Sequence, residues 1–253
     1  MIKLAICIPV YGDCKSKFTM SLASAIAYFY EADIQDADGN QVPRMAETFM
    51  VSCSMLVEGR TRLVAEALAW GATHMLWMDA DHVFPRDAIP VLLAHDKEIV
   101  GCNYSRRLWP TAPTAYKDGL VYTTLEKAKD RVVEEVEHLG FGLCLMNMSV
   151  FDKLQLWADE HANGNFLPLF KFEEKPDLTG FIGEDVYFFR KCRAAGVTVW
   201  CDHALSWDVG HMFDHILTNA HAIAHEEKYK AFMSEQHGKN VRKAVAALEG
   251  EEK

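Results

Sequence analysis

Two carboxylates stand at the end of an apolar run in the first third of the chain. The run Met75 to Met78 leads directly into Asp79-Ala80-Asp81. Side chains two positions apart at a strand end can turn toward one point, and hard divalent cations prefer oxygen ligands of this kind. Mg²⁺ and Mn²⁺ commonly take one or two carboxylates together with substrate phosphates. A D-x-D triplet also arises by chance, and Asp81 could simply precede a helix beginning at Pro85. The apolar run before the triplet favours a metal site.

A second acidic pair begins a predicted helix late in the chain. Glu184 and Asp185 follow Gly183, and the helical pattern ends at Gly196. Acidic residues in the first turn interact favourably with the helix dipole, and this explains one of the two acids. A carboxylate in this position could also accept a proton from an incoming hydroxyl, so the pair is a candidate general base.

The third candidate is His211, which follows Gly210 shortly after the last predicted core strand. Neutral imidazole is a common metal ligand, so His211 could complete a site begun by the two aspartates. Asp208 is a rival ligand. The chain has 11 histidines, and most of them must serve ordinary structural roles.

These side chains need a scaffold that brings them together, and the first hundred residues alternate between strand and helix patterns. Such alternation is typical of a mostly parallel sheet flanked by helices. The carboxyl ends of parallel strands line the ligand crevice, and both aspartates and Pro9 fall at such ends. The predicted strands are 3–10, 47–53, 74–78 and 98–102, and the predicted helices are 16–30, 61–70 and 85–95.

The second half of the chain has a different pattern. Short, partly exposed strands are predicted at 114–122 and 131–139, with a helix as an open alternative for the second segment. Then follow an apolar run at 141–146, helices at 150–158 and 184–195, and a core strand at 197–201. From Ile216 onward the composition is charged and helix-forming. We therefore predict an α/β domain over residues 1–215 with a second, smaller sheet, and a helical C-terminal extension over 216–253.

Composition excludes several classes of protein. The chain has 253 residues, of which 50% are hydrophobic and 25% charged, which suits one packed domain with an appendage. The formal net charge of -10 argues against a broad, non-specific nucleic-acid binder, although a local basic patch is compatible with it.

The seven cysteines include no C-x-x-C pair and lie mostly in apolar runs, which is typical of reduced, buried thiols. Without a signal peptide or an apolar run of about 18 residues, we expect a cytoplasmic protein that does not span a membrane.

Taken together, the motifs resemble a known family of enzymes. The acidic pairs and the late histidine, in this order after a strand ending in Ile8-Pro9-Val10-Tyr11, resemble the GT-A nucleotide-sugar glycosyltransferases. The resemblance is closest to the small family-2-like members found in bacteria and phages, and it spans about residues 1–215. Each motif is modest alone, and their order and spacing make the resemblance specific. Further matching segments are Gly59-Arg60-Thr61-Arg62-Leu63-Val64, Gly101-Cys102-Asn103-Tyr104 with Arg106 and Arg107, Gly140-Phe141-Gly142 and Gly210-His211.

The resemblance implies a Rossmann-like GT-A fold whose smaller sheet lies on the acceptor side. It also implies metal-dependent transfer of a sugar from a nucleotide diphosphate sugar to a hydroxyl acceptor. UDP-glucose, UDP-galactose and UDP-N-acetylglucosamine are the expected donors. The expected cation is Mn²⁺ or Mg²⁺, which would neutralise charge on the leaving nucleoside diphosphate.

The resemblance also assigns roles to individual residues. Asp81 and His211 would bind the metal, and Asp79 would contact the metal or the ribose. Asp185 would be the base in an inverting transfer, with Glu184 on the acceptor. The residues expected to bind the nucleotide sugar are Pro9, Val10, Tyr11, Arg60, Arg62, Asp79, Asp81 and Arg106, with Arg107 as a further cationic candidate, although each arginine could equally be a solvated surface charge.

Other functions stay open at this point. A phage-type relative could glycosylate a modified base in DNA, with Arg106, Arg107, Lys15 and Lys17 as a local basic rim. A saccharide, lipid or protein acceptor is at least as compatible. Nucleotidyl transfer is disfavoured because the segment Tyr11-Gly12-Asp13-Cys14-Lys15 is poor in glycine. A non-catalytic module that binds a nucleotide sugar is the remaining alternative.

Overall fold

The protein is built around one large sheet with helices on both faces. The computed structural model describes residues 1–161, 167–177, 180–213 and 216–235. Its strands are β1 (Ile2–Val10), β2 (Arg44–Ser52), β3 (His74–Met78), β4 (His82–Val83), β5 (Ile99–Gly101), β6 (Val133–Val136), β7 (Leu143–Asn147), β8 (Glu173–Glu174), β9 (Phe181–Ile182), β10 (Val199–Asp202), β11 (Gly210–Met212) and β12 (Ile216–Leu217). Its helices are α1 (Ser16–Glu31), α2 (Leu56–Trp70), α3 (Ala88–Ala94), α4 (Leu125–Lys129), α5 (Ser149–His161), α6 (Glu184–Ala194), α7 (His203–Asp208) and α8 (Asn219–Ala224), and a further helical run covers 226–235.

The large sheet has seven strands in the order β2-β1-β3-β7-β5-β10-β6. Strand β1 runs parallel to β2 and β3, and β10 runs parallel to β5. Strand β7 is antiparallel to β3 and β5, and β6 is antiparallel to β10. Five strands therefore point the same way, which confirms the predicted fold class of a mostly parallel sheet flanked by helices.

The central strands of the sheet are buried on both faces, and this explains their continuous apolar runs. Alternate side chains of β1 enter different cores: Ala5 and Cys7 pack on one face, and Leu4, Ile6 and Ile8 pack on the other. Helices α2, α5 and α6 contribute to the first core, and α1 and α3 contribute to the second. All seven cysteines are free, and five of them are buried.

A small antiparallel sheet joins two distant parts of the chain. It has the order β12-β11-β4, and β4 follows the D-x-D triplet almost directly. In the pairing of β11 with β4, His211 lies opposite His82, and the Met212 amide donates to the Asp81 carbonyl at 2.8 Å. This pairing is what brings the late histidine to the end of β3. A separate pair is formed by β8 and β9.

Several boundaries differ from the sequence predictions. The strand predicted at 114–122 is an irregular turn, in which Asp118 has a φ of 52° and Tyr116 forms only isolated bridges. The buried amide of Asn103 holds this turn, because its Oδ1 accepts from the Thr114 and Ala115 amides at 3.0 Å each. The strand predicted at 131–139 is present as β6, so the helix alternative is wrong. Helix α2 begins five residues earlier than predicted, at Leu56.

The described part of the predicted C-terminal extension packs against the rest of the chain. Strand β12 pairs with β11, and the buried Asn219 side chain donates to the carbonyls of Asn103 and Ser206 at 3.1 and 2.6 Å. The part of the predicted helical extension from residue 236 onward lies outside the described residues. Among the helices of the described segments, none is both long and apolar enough to cross a membrane.

Candidate functional site

Asp81 lies between the end of β3 and the start of β4, and three side chains converge on its carboxylate. Its Oδ2 lies 2.7 Å from Arg107 Nη1 and 3.4 Å from His211 Nε2, and its Oδ1 lies 3.0 Å from His82 Nδ1. Burial alone would raise the pKa of Asp81, but hydrogen bonds to His211 and His82 outweigh this effect and hold the pKa well below its usual range. The carboxylate is therefore ionised at neutral pH and suited to bind a cation.

The hydrogen bonds of His211 define which ring nitrogen faces Asp81. Nδ1 lies 2.9 Å from the Ser105 carbonyl, and because a carbonyl oxygen can only accept, Nδ1 carries the proton. In the neutral ring, Nε2 then presents a lone pair to the Asp81 carboxylate. Two atoms that each carry a lone pair repel each other, unless a cation lies between them or the ring is protonated and Nε2–H donates a hydrogen bond to the carboxylate. This pattern, with a backbone carbonyl behind the imidazole, is typical of a metal-binding histidine.

A third possible ligand in this place is His82. Its ring is fully buried, stacks on His211 with centroids 4.2 Å apart, and meets the Tyr104 ring edge-on at 4.3 Å. Burial lowers the pKa of His82, which keeps the ring neutral. Gly142 leaves room for it, since a Cβ there would lie 2.4 Å from His82 Nε2.

Asp81, His82 and His211 each offer one ligand atom, and these atoms lie within 4.8 Å of one another. One carboxylate and two imidazoles are a donor set that suits Mn²⁺ and other first-row divalent cations. The three residues fit a metal centre, in which the charged Asp81 would be the strongest ligand.

Asp79 is held by a buried arginine. Arg60, on α2, is only 3% exposed, and its Nη2 donates to Asp79 Oδ1 at 3.1 Å. Its Nε donates to Glu184 Oε1 at 3.2 Å, and its guanidinium lies over the Phe141 ring at 4.6 Å. Burial would lower the pKa of Arg60, but Asp79 and Glu184 reverse this and raise it, so the guanidinium stays charged. Nη1 is buried and has no hydrogen-bond partner in the described chain.

Asp185 stands in the first turn of α6, next to Glu184. Its Oδ1 accepts from the Val186 amide at 2.7 Å. Burial and then the charge of Glu184 raise the pKa of Asp185 to about 6. A carboxyl with this pKa is ionised at pH 7 and basic enough to accept a proton, which is the property needed of a general base.

Two cavities meet beside the Asp81 cluster. The smaller, of about 460 Å³, is lined by the end of β1, including Pro9, Val10 and Tyr11, and by Arg60, Asp79 and Asp81. The larger, of about 820 Å³, contains Asp185, Tyr104 and Arg106. Arg107 and His211 line both cavities, so the candidate cation site lies at their junction.

The structure thus brings most of the predicted site residues to this junction, although not all. Arg62 lines neither cavity in the described part of the chain: its side chain is 68% exposed and pairs with Glu66 at 3.1 Å. Glu184 is buried and faces Arg60 instead of a cavity. His82 was missed by sequence reasoning, because a histidine in a two-residue strand carries no pattern of its own.

The architecture has relatives among solved structures at low sequence identity. No protein-family model and no curated protein matches the sequence. The crystal structure of A197 from STIV is similar with a TM-score of 0.50 and 14% identity, over 87% of this chain and 92% of that one. At this level of sequence identity, the similarity shows a shared fold and nothing about function.

Two further structures are more distant. GalNAc-T7 with UDP, GalNAc and Mn²⁺ has a TM-score of 0.49 and 11% identity, over 84% of this chain and 43% of that one. The catalytic domain of Drosophila β1,4-galactosyltransferase 7 in complex with xylobiose has a TM-score of 0.44 and 12% identity, over 80% of this chain and 65% of that one. This chain spans less than two thirds of either of these two structures.

Proposed function

We propose that the protein is a metal-dependent GT-A-type glycosyltransferase that moves a sugar from a nucleotide diphosphate sugar, most simply a UDP-sugar, to a hydroxyl acceptor. One observation carries the proposal: a carboxylate–imidazole cluster suited to a cation lies at the junction of two cavities, and a carboxyl of raised pKa faces the larger one. A transfer between two bound molecules needs these three features in one place.

The smaller cavity is the proposed site of the donor. Tyr11 is 85% exposed at its rim, so its ring is available to stack on a base, and Pro9 and Val10 form the adjoining wall. Asp81 and His211 would hold Mn²⁺ or Mg²⁺ together with His82, and Asp79 would reach the ribose. When bound, the cation would neutralise charge on the departing nucleoside diphosphate.

Asp185 is the proposed base, which removes the proton from the acceptor hydroxyl in an inverting transfer. Its neighbours keep it in place: the Val186 amide binds one carboxyl oxygen, and Arg60 anchors Glu184, the preceding residue. Arg60 also binds Asp79 beside the donor cavity, so one buried cation orients an acidic residue near each of the two proposed substrates.

The test is release of UDP from UDP-glucose, UDP-galactose and UDP-N-acetylglucosamine, with Mn²⁺ or with EDTA. We expect release with at least one donor that EDTA abolishes. Asp185→Asn should lower turnover by about 10²–10⁴-fold, as expected for loss of a general base, and should leave UDP binding intact. Asp152→Asn is the matched control, because Asp152 is an exposed acid in the first turn of α5.

Three other outcomes would each contradict the proposal. Release of pyrophosphate in place of UDP would identify nucleotidyl transfer. Binding of UDP-sugars without any turnover would identify a non-catalytic binding module. Absence of Mn²⁺-dependent binding with every donor would remove the nucleotide-sugar site altogether.

A further inference from the structure

We propose that the acceptor in the larger cavity is an anionic saccharide, a sugar that carries a carboxylate or a phosphate beside its reactive hydroxyl. The inference rests on the proposed function, since it names the class of acceptor for the same site. It follows from the charge, the pairing and the aromatic lining of that cavity.

The lining of the larger cavity is cationic although the protein as a whole is acidic. Two acids, Glu137 and Asp185, face five cations among the described residues, which leaves a formal excess of three positive charges. The whole chain has a formal net charge of -10. A local reversal of sign is therefore a property of this cavity and not of the surface in general, and it favours an anionic ligand. The five cations are Arg106, Arg107, Lys175, Arg190 and Arg193.

Two of these arginines form no ion pair within the described chain. Arg193 is bound to Glu137 at 2.9 Å and Arg107 to Asp81 at 2.7 Å, whereas no described carboxylate lies within 4.0 Å of the guanidinium of Arg106 or Arg190. Arg190 also borders a neighbouring depression whose lining includes Glu173 and Glu174, but neither lies within 4.0 Å of its guanidinium. Planar guanidinium groups bind carboxylates and phosphates through two parallel hydrogen bonds.

His138 lines the same cavity, and the nearby arginines affect its pKa. Burial, and then the charge of Arg106, lower the pKa of His138 to about 4; Glu137 opposes this shift, and Arg190 and Arg193 add smaller lowering effects. The ring stays neutral and stacks on Tyr116, with centroids 5.2 Å apart. The histidine therefore adds no charge of its own and leaves the cationic lining free to act on a ligand.

The other lining residues suit a sugar ring. Tyr116, Phe181 and Tyr229 present aromatic surface to the cavity. Aromatic faces pack against the apolar faces of pyranose rings, and a volume of about 820 Å³ falls within the range of small-molecule sites. Aromatic surface and unpaired guanidinium groups in one cavity fit an anionic saccharide better than a neutral one.

The test measures binding of matched probes to the full chain saturated with UDP and Mn²⁺, so that the smaller cavity is filled. Glucose 6-phosphate and glucuronate are compared with glucose and with inorganic phosphate by ligand-observed NMR titration. We expect at least one charged sugar to bind about tenfold or more tightly than both glucose and phosphate, as expected for a new charge-assisted contact. The two charged probes distinguish a phosphate from a carboxylate as the recognised group.

Variants test whether the two unpaired arginines bind the charged sugar. The double variant Arg106→Gln/Arg190→Gln should weaken binding of the charged sugar by about tenfold or more. The matched control is Arg86→Gln, because Arg86 is exposed, lies over the Tyr28 ring and lines neither cavity in the described chain. We expect the control to bind both the charged sugar and UDP as the wild type does.

Equal binding of glucose and the charged sugars would overturn the inference, as would charged-sugar binding that the double variant does not weaken. Failure of the proposed function is a separate result, because it would appear as loss of UDP binding or release. The probe titrations can then be repeated without UDP, and their outcome still decides whether the cavity binds anionic sugars.

Discussion

At the scale of single residues, Asp185 shows how environment changes a carboxyl group. Its pKa is raised to about 6 from its ordinary value of 3.8, first by burial and then by the charge of Glu184. Because the folded-state pKa exceeds the unfolded value, the ionised carboxylate destabilises the fold. This cost is fully present above about pH 6, and it disappears as the pH falls below about 4.

Asp185→Asn should therefore stabilise the protein at pH 8 by about 2 kcal/mol, since the amide removes the charge and keeps an oxygen for the Val186 amide. Thermal unfolding measured from pH 3.5 to 8 should show a gain of several degrees at pH 8 that vanishes at pH 3.5. Asp152→Asn should show no such pH-dependent gain. A gain that is equal at both ends of the pH range would mean that Asp185 is not held at a raised pKa.

Arg107 occupies a second informative position, because its guanidinium touches the same carboxylate oxygen of Asp81 that faces His211. Its side chain is 49% exposed, so the ion pair can be exchanged for another cation at modest cost. A divalent cation that binds Asp81 would compete with this arginine, which also lines both cavities.

Arg107→Gln should consequently bind Mn²⁺ about three- to tenfold more tightly in the absence of nucleotide, because a competing cation is removed. Electron paramagnetic resonance of free Mn²⁺ during a titration measures this directly. Arg86→Gln should leave the Mn²⁺ affinity unchanged. Weaker Mn²⁺ binding by Arg107→Gln would show that the arginine supports the cation site and does not compete for it.

At the scale of secondary-structure elements, one buried side chain connects helix α2, strand β3 and helix α6. Arg60 on α2 binds Asp79 at the end of β3 and Glu184 at the start of α6, and it packs on Phe141 just before β7. Such a buried network is costly to leave incomplete, since the freed carboxylate of Glu184 would remain away from water. It orients the two acidic segments that border the cavities.

Arg60→Met should lower the free energy of unfolding by about 3–5 kcal/mol, because it leaves Glu184 buried without a counter-charge. Arg62→Met, the same substitution on the exposed side of the same helix, should cost less than about 1 kcal/mol. Urea unfolding of both variants measures the difference. The double variant Arg60→Met/Glu184→Gln should recover part of the loss, and a double variant as unstable as Arg60→Met would argue against this pairing.

At the scale of the whole molecule, the balance of charge differs from one region to another. The chain is acidic overall, yet cations collect in the larger cavity, and the acids of the cation site collect at its junction with the smaller one. The local charge therefore decides what each cavity can bind, whereas the net charge describes the chain as a whole. The argument from composition against broad, non-specific nucleic-acid binding does not extend to a local cationic cavity of this kind.

The sequence by itself determined the alternation of strands and helices, the buried strand that leads into Asp79 and Asp81, and the placement of Asp185 in the first turn of a helix. These features depend on local periodicity and on short-range composition, which a single sequence contains. Only the tertiary structure decided the partners of these residues. The pairing of β4 with β11 places His82 and His211 beside Asp81. The buried guanidinium of Arg60 binds Asp79. Strands of two or three residues carry no readable period, and contacts between distant segments depend on how the whole chain packs, so no local pattern could have revealed them.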